Sequence, residues 1–153
     1  MFNLYGVLLP VLLLVINLRG VQSQNVTCQQ DWTAYGGHCY WSVPGLKKSW
    51  NDAQSDCQSR DSNLVKIETA EENSWLETIA TLSDHQWIGA TDRDKEGEWR
   101  WISDNSLVSF TAWGSGEPNN VDDNEHCGHV YVGARWNDLV CSMLFGFICE
   151  KEG

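Results

Sequence analysis

Apolar positions in the middle of the chain recur at helical spacing. Trp50, Ala53 and Cys57 fall on one face of a segment opened by Ser49, a residue suited to cap a helix. A second helix is expected from Thr69. Thr69 and Glu72 have the spacing of a capping box, and Trp75, Leu76, Ile79 and Leu82 line one apolar face. Before the helices, "DWTAYGGHCYW" places aromatic residues on either side of Gly36-Gly37, the pattern of a hairpin. Past Leu82 the helical period disappears. "QWIGA", "EWRWIS", "HCGHVYV" and "FGFICEK" are short apolar runs between polar loops and predict strands. Two helices followed by strands, without βαβ alternation, is an α+β pattern.

The N-terminus departs from this patterning. Val7 to Ile16 is an apolar run, and Val21-Gln22-Ser23 follows with small residues at cleavage spacing. This predicts a secretory signal peptide over 1–23 and one domain over 24–153. The run is shorter than the ~20 apolar residues that span a bilayer, so no membrane insertion is expected and the mature protein is expected to be secreted and extracellular. The formal charge is -11, and it becomes -12 if cleavage removes Arg19, the one charged residue before the cut. An acidic surface argues against nucleic acid and anionic membranes as partners. Nothing repeats, and only 24–27 precede the first remaining cysteine. Any homo-oligomer is therefore expected to be non-covalent and to form through domain surfaces.

Three features carry candidate chemistry. Cys28, Cys39, Cys57, Cys127, Cys141 and Cys149 form an even set of six, which in a secreted chain implies a disulfide framework of undetermined connectivity. Cys28 and Cys39 are close enough to staple the hairpin. Asn25-Val26-Thr27 is an N-glycosylation sequon at Asn25. The stretch "GEPNNVDDNEHC", Gly116 to Cys127, crowds acids and amides with almost nothing apolar. Such a segment is a solvated loop or a cage of oxygens for a hard cation. Calcium is such a cation and takes roughly six to eight oxygen ligands. Of nine tryptophans, most are expected in the core. Trp113 lies just before the polar stretch and is a candidate for stacking on a ligand.

"WIGA" at 87–90, "EPN" at 117–119, "WND" at 136–138 and the order of the cysteines together resemble the C-type lectin-like domain, in its long form. The resemblance runs from Cys28 to the C-terminus. It implies a fold of two helices, small antiparallel sheets and a long calcium-binding loop region. It implies the disulfides Cys28–Cys39, Cys57–Cys149 and Cys127–Cys141, and a cis bond between Glu117 and Pro118. It also implies a primary Ca2+ site of Glu117, Asn119, Glu125, Asn137 and Asp138, whose same side chains bind sugar hydroxyls. The Glu-Pro-Asn order implies glycans of the mannose, N-acetylglucosamine and fucose type, and the default role of a free secreted lectin of this kind is recognition of microbial or cell-surface sugars in innate defence. The alternatives are galactose, or a non-sugar ligand such as protein, ice or mineral.

The match thins at the auxiliary calcium site of that family. Asp92 and Glu96 occupy two of its acidic positions, but Asn120 and His126 stand where acids are common. One high-affinity calcium per chain is therefore expected. An enzyme is not expected. His126 and His129 flank Cys127, yet in a chain with an even cysteine set that thiol is expected to be oxidised. The pair Glu117 and Glu125 has amide neighbours that suit a cation better than proton transfer.

Overall fold

The computed structural model describes residues 26–43, 45–80 and 85–153. The expected signal peptide 1–23, the domain start at 24, the sequon residue Asn25 and Leu82 lie outside them.

The N-terminal hairpin forms as the aromatic pattern predicts. Strands β1 (Thr33–Tyr35) and β2 (His38–Trp41) pair antiparallel across Gly36 and Gly37. Both glycines have positive φ, 58° and 99°, which a two-residue turn of this hand requires and which glycine adopts without steric cost. Helix α1 (Trp50–Gln58) begins where Ser49 Oγ accepts from the Asp52 amide, and it buries Trp50, Ala53 and Cys57. Strand β3 (Asn63–Leu64) follows.

Helix α2 (Ala70–Ile79) is capped by Thr69, whose Oγ1 accepts from the Glu72 amide at 3.1 Å. The return bond of the capping box lands one residue early: Glu72 Oε2 accepts from the Glu68 amide at 2.9 Å. Its other oxygen accepts from the Tyr40 hydroxyl at 2.7 Å, which ties the helix start to β2. Leu76 is fully buried, while Trp75 stacks on Tyr35 with ring centroids 4.2 Å apart.

Strands β4 (Gln86–Thr91), β5 (Arg100–Trp101), β6 (Cys127–Tyr131), β7 (Arg135–Leu139), β8 (Gly146–Phe147) and β9 (Cys149–Glu152) complete the fold. They form two sheets, β1-β2-β9-β3 and β5-β4-β6-β7, with β8 added parallel to β4 and every other pairing antiparallel. The glycine of "WIGA" has a packing reason. A Cβ on Gly89 would lie 2.8 Å from the Leu64 carbonyl oxygen and 3.1 Å from that of Val65, so β4 can approach β3 only without a side chain there. The disulfides are Cys28–Cys39, Cys57–Cys149 and Cys127–Cys141. The second joins α1 to β9, and the third joins the start of β6 to the segment after β7.

The sequence patterning leaves two strands unassigned, the short β3 and β7, and β7 matters more for the loop. It carries Trp136, Asn137 and Asp138 against β6, with Asn137 opposite His129 and Asp138 opposite Gly128. Trp136 is fully buried and edge-on to Trp101, Phe110 and Trp113. Its indole N–H donates to Asn73 Oδ1 at 2.7 Å, and Asn73 Nδ2 donates to the Ala134 carbonyl at 2.8 Å. One buried amide of α2 thus clamps both the strand and the turn leading into it. Replacing Asn73 with Ala leaves a buried N–H and a buried C=O without partners, each worth about 1–3 kcal/mol. Urea unfolding of Asn73→Ala is expected to show a loss of about 2 kcal/mol or more; a loss within about 0.5 kcal/mol, the size of an ordinary surface substitution, would mean the clamp carries no load.

Candidate functional site

The polar stretch leads into β6 and meets β7 at Asp138. The backbone there turns through Asn120, Asp122 and Asp123, all with positive φ (44°, 57° and 52°). Asn and Asp tolerate this left-handed region better than other non-glycine residues. Part of the unusual composition is therefore a backbone requirement: Asp122 and Asp123 are exposed and serve the turn. The Glu117–Pro118 bond is cis, as the family resemblance implies.

The loop amides are used to hold carboxylates. Asn119 N–H and Asn120 N–H donate to the two oxygens of Asp138 at 3.1 and 2.8 Å. Val121 N–H donates to Glu125 Oε2 at 3.1 Å, and Glu125 N–H donates back to Asn120 Oδ1 at 3.0 Å. Asp138 is wholly buried and Glu125 is 8% exposed. Glu117 is half-buried, and its carboxyl is pushed above the usual carboxylate range by burial first and then by the neighbouring Asp138 and Glu125. Glu117, Glu125 and Asp138 therefore converge. Among the described residues none of the three has a Lys or Arg partner in an ion pair.

Two side-chain oxygens in this region are buried without a hydrogen-bond partner: Glu117 Oε2 and Asn137 Oδ1. Buried polar atoms are normally paired, and a buried carboxylate normally has a cationic or strong donor partner. Here neutral backbone amides face three converging acids, and two oxygens have nothing. A hard divalent cation removes both deficits, and an all-oxygen set of carboxylates and amides suits calcium. Four of the five expected ligands, Glu117, Asn119, Glu125 and Asp138, are linked to one another by these contacts. Asn137 precedes Asp138 on β7 and contributes one of the two unpartnered oxygens. The Asn119 side chain is exposed.

Other expected residues sit elsewhere. Trp113 is partly buried, edge-on to Trp99 at 4.8 Å and to Trp136 at 5.6 Å, so the core holds its ring from two sides. Asp92 and Glu96 meet His126 and not Asn120: His126 Nδ1 is 3.1 Å from Asp92 Oδ1 and 3.4 Å from Glu96 Oε2, while Asn120 faces Glu125. Cys127 is bonded to Cys141 and offers no thiol. His129, on β6 opposite Trp87 of β4, is fully buried, its Nδ1 3.3 Å from that of His85, and burial holds its pKa down at about 3. The sequence reading missed Asn73; an amide on the apolar side of a helix was its only signal.

Two helices, two small sheets, three cross-links and an acidic loop on a tryptophan-filled base define the class. The chain belongs to the C-type lectin family: the Lectin C-type domain model matches residues 46–151. It is a binding domain and not an enzyme. A perlucin-like protein of Mytilus galloprovincialis is 39% identical over 151 residues, covering 94% of this chain and 96% of that protein. The carbohydrate-recognition domain of the mouse scavenger receptor C-type lectin superposes with a TM-score of 0.78 at 33% identity, over 82% of this chain and 98% of that one. The cow CD23 domain, solved in the presence of a GlcNAc2Man3 oligosaccharide, superposes with a TM-score of 0.77 at 32% identity, over 83% and 97% of the two chains.

The raised Glu117 carboxyl predicts the sign of a pH effect. In the cation-free fold a proton sits on Glu117 at higher pH than on an ordinary glutamate, and a cation must displace it. Apparent calcium affinity is expected to fall on acidification, the loss beginning above the ordinary value of 4.5. Titrations with a calcium-sensitive dye from pH 7.5 to 4.5 check this. Affinity that stays flat across that range would contradict the coupling.

Proposed function

We propose that this chain is a secreted, calcium-dependent lectin with mannose-type specificity. The observation that carries the reading is the pair of buried, unpartnered oxygens, Glu117 Oε2 and Asn137 Oδ1, among acids that have no Lys or Arg ion-pair partner among the described residues. Glu117, Asn119, Glu125, Asn137 and Asp138 would hold the ion. When bound, calcium supplies open coordination positions that two neighbouring sugar hydroxyls fill. The chain's own residues do the discriminating. Carboxylate oxygens of Glu117 and Glu125 accept from the hydroxyls, and the amide groups of Asn119 and Asn137 donate to them. The Glu-Pro-Asn order sets an acceptor on one side of Pro118 and a donor on the other, the arrangement that favours equatorial vicinal hydroxyls of mannose, N-acetylglucosamine and fucose type.

Relatives support the sugar reading, since one structural neighbour was solved with an oligosaccharide containing mannose and N-acetylglucosamine. Three disulfides suit an oxidising, extracellular setting. The expected signal peptide and the sequon at Asn25 point the same way. A single shallow site binds a monosaccharide weakly, so capture of a microbial or cell surface would rest on several domains acting together through a non-covalent homo-oligomer.

The test is competition by mannose and galactose for an immobilised neoglycoprotein, with calcium and with excess chelator. Wild type is expected to prefer mannose and to lose all binding in chelator. The double change Glu117→Gln with Asn119→Asp keeps the carboxylate count but exchanges acceptor and donor across Pro118. A hydrogen bond to a charged group contributes about 1.5–3 kcal/mol, so selectivity should move toward galactose by roughly tenfold or more. Binding undiminished in chelator would overturn the mechanism. A double variant that binds calcium with its preference unmoved would overturn the role of the Glu-Pro-Asn segment.

A further inference from the structure

Beside the acidic loop lies a second cluster with different chemistry. Asp92, Glu96 and His126 bring one ligand atom each to within 4.8 Å of one another. His126 Nδ1 stands 3.1 Å from Asp92 Oδ1 and 3.4 Å from Glu96 Oε2. Around a tetrahedral ion with ligand bonds of about 2.0–2.2 Å, neighbouring ligand atoms lie roughly 3.3–3.6 Å apart. Both nitrogen–oxygen separations are near that edge length.

The cluster is built into the frame. Asp92 is 1% exposed, and its second oxygen accepts from the Gly97 amide at 2.9 Å, which fixes the carboxylate plane and leaves Oδ1 turned to the imidazole. The His126 carbonyl accepts from Thr91 Oγ1 at 2.7 Å and from the Asp92 amide at 3.3 Å, so β4 and the start of β6 hold the ring's backbone in place. The nearby Arg93 guanidinium is engaged elsewhere, on Asn51 Oδ1 at 2.7 Å and over the Trp50 ring. An ion pair does not account for the arrangement fully. Nδ1 carries at most one proton, so two carboxylates at 3.1 and 3.4 Å share it at best in a bent three-centre hydrogen bond. A lone pair directed into the cluster has no such limit when a cation sits between the three atoms.

We infer that Asp92, Glu96 and His126 form a binding site for a zinc-class transition-metal dication, separate from the oxygen cage. Imidazole nitrogen suits zinc and its neighbours, whereas calcium prefers six or more oxygens. This cluster offers one nitrogen and few free oxygens, since one Asp92 oxygen is already committed to Gly97. Zinc with three protein ligands and one solvent position matches the count, and Glu96, the exposed member, gives the ion an entry path. The inference stands whether or not the oxygen cage presents a sugar.

The test is equilibrium dialysis of the full chain against Zn2+ at saturating Ca2+, with Co2+ absorption as a spectroscopic reporter. Wild type is expected to take up one Zn2+ per chain and to give a visible Co2+ band. His126→Gln and the exposed-site variant Glu96→Gln should each weaken Zn2+ by more than the roughly tenfold loss typical of removing a mere supporting partner, with cooperative unfolding retained. His126→Asp should lose Zn2+ and gain affinity for a second Ca2+. Zn2+ uptake or a Co2+ band unchanged in His126→Gln, or no Zn2+ uptake by wild type at saturating Ca2+, would overturn the proposal.

Discussion

Everything near the polar loop depends on one electrostatic constraint: three acids converge, one of them fully buried, and among the described residues neutral amides and no Lys or Arg meet them. Asp138 receives two backbone N–H groups and Glu125 one. Those bonds fix where the carboxylates point, but burial first, and then the neighbouring charges of Asp138 and Glu125, still raise the Glu117 pKa. A fold does not keep such a cluster for stability, because replacing buried charge by apolar side chains usually costs nothing or gains. The arrangement makes sense as a seat for a divalent cation, with the loop amides holding its ligands in advance.

The seat is only as rigid as its base. Asp138 and Asn137 ride on β7, and β7 is pinned by Trp136, which is buried among Trp101, Phe110 and Trp113 and clamped by Asn73 of α2. The Trp136 amide and carbonyl also bond Ala112 and Gly114, so the chain entering the loop is laced to the same strand. The Cys127–Cys141 link closes the far side. Core packing, strand pairing and loop geometry thus converge on two residues, and an acidic loop with three left-handed residues in it is tied to β7 through Asp138.

Local signals made much of this legible in the sequence. Ser49 and Thr69 announce their helices because capping is a contact within four residues, and Gly36-Gly37 announces the hairpin for the same reason. What stayed hidden depended on distant partners. β7 is hidden because "RWNDL" alternates poorly: Asn137 and Asp138 face the loop and not open solvent. Asn73 gave no sign of its clamp, since its partners lie about sixty positions away. The loop acids were visible as a group. Which of them turn the chain, as Asp122 and Asp123 do, and which converge, as Glu117 and Glu125 do, required the backbone. His126 was noticed as a departure from an acidic pattern, while its approach to Asp92 and Glu96 was not.

The central claim is that converging carboxylates and unpartnered oxygens make one seat for one hard cation. Calorimetric titration of Ca2+ into chelator-stripped protein tests it most directly, in wild type and in Asp138→Asn. The account predicts one tight calcium per chain in wild type, and loss of that site in the variant while unfolding stays cooperative. Absence of tight calcium binding in wild type, two equally tight sites, or an unchanged isotherm in Asp138→Asn would contradict it.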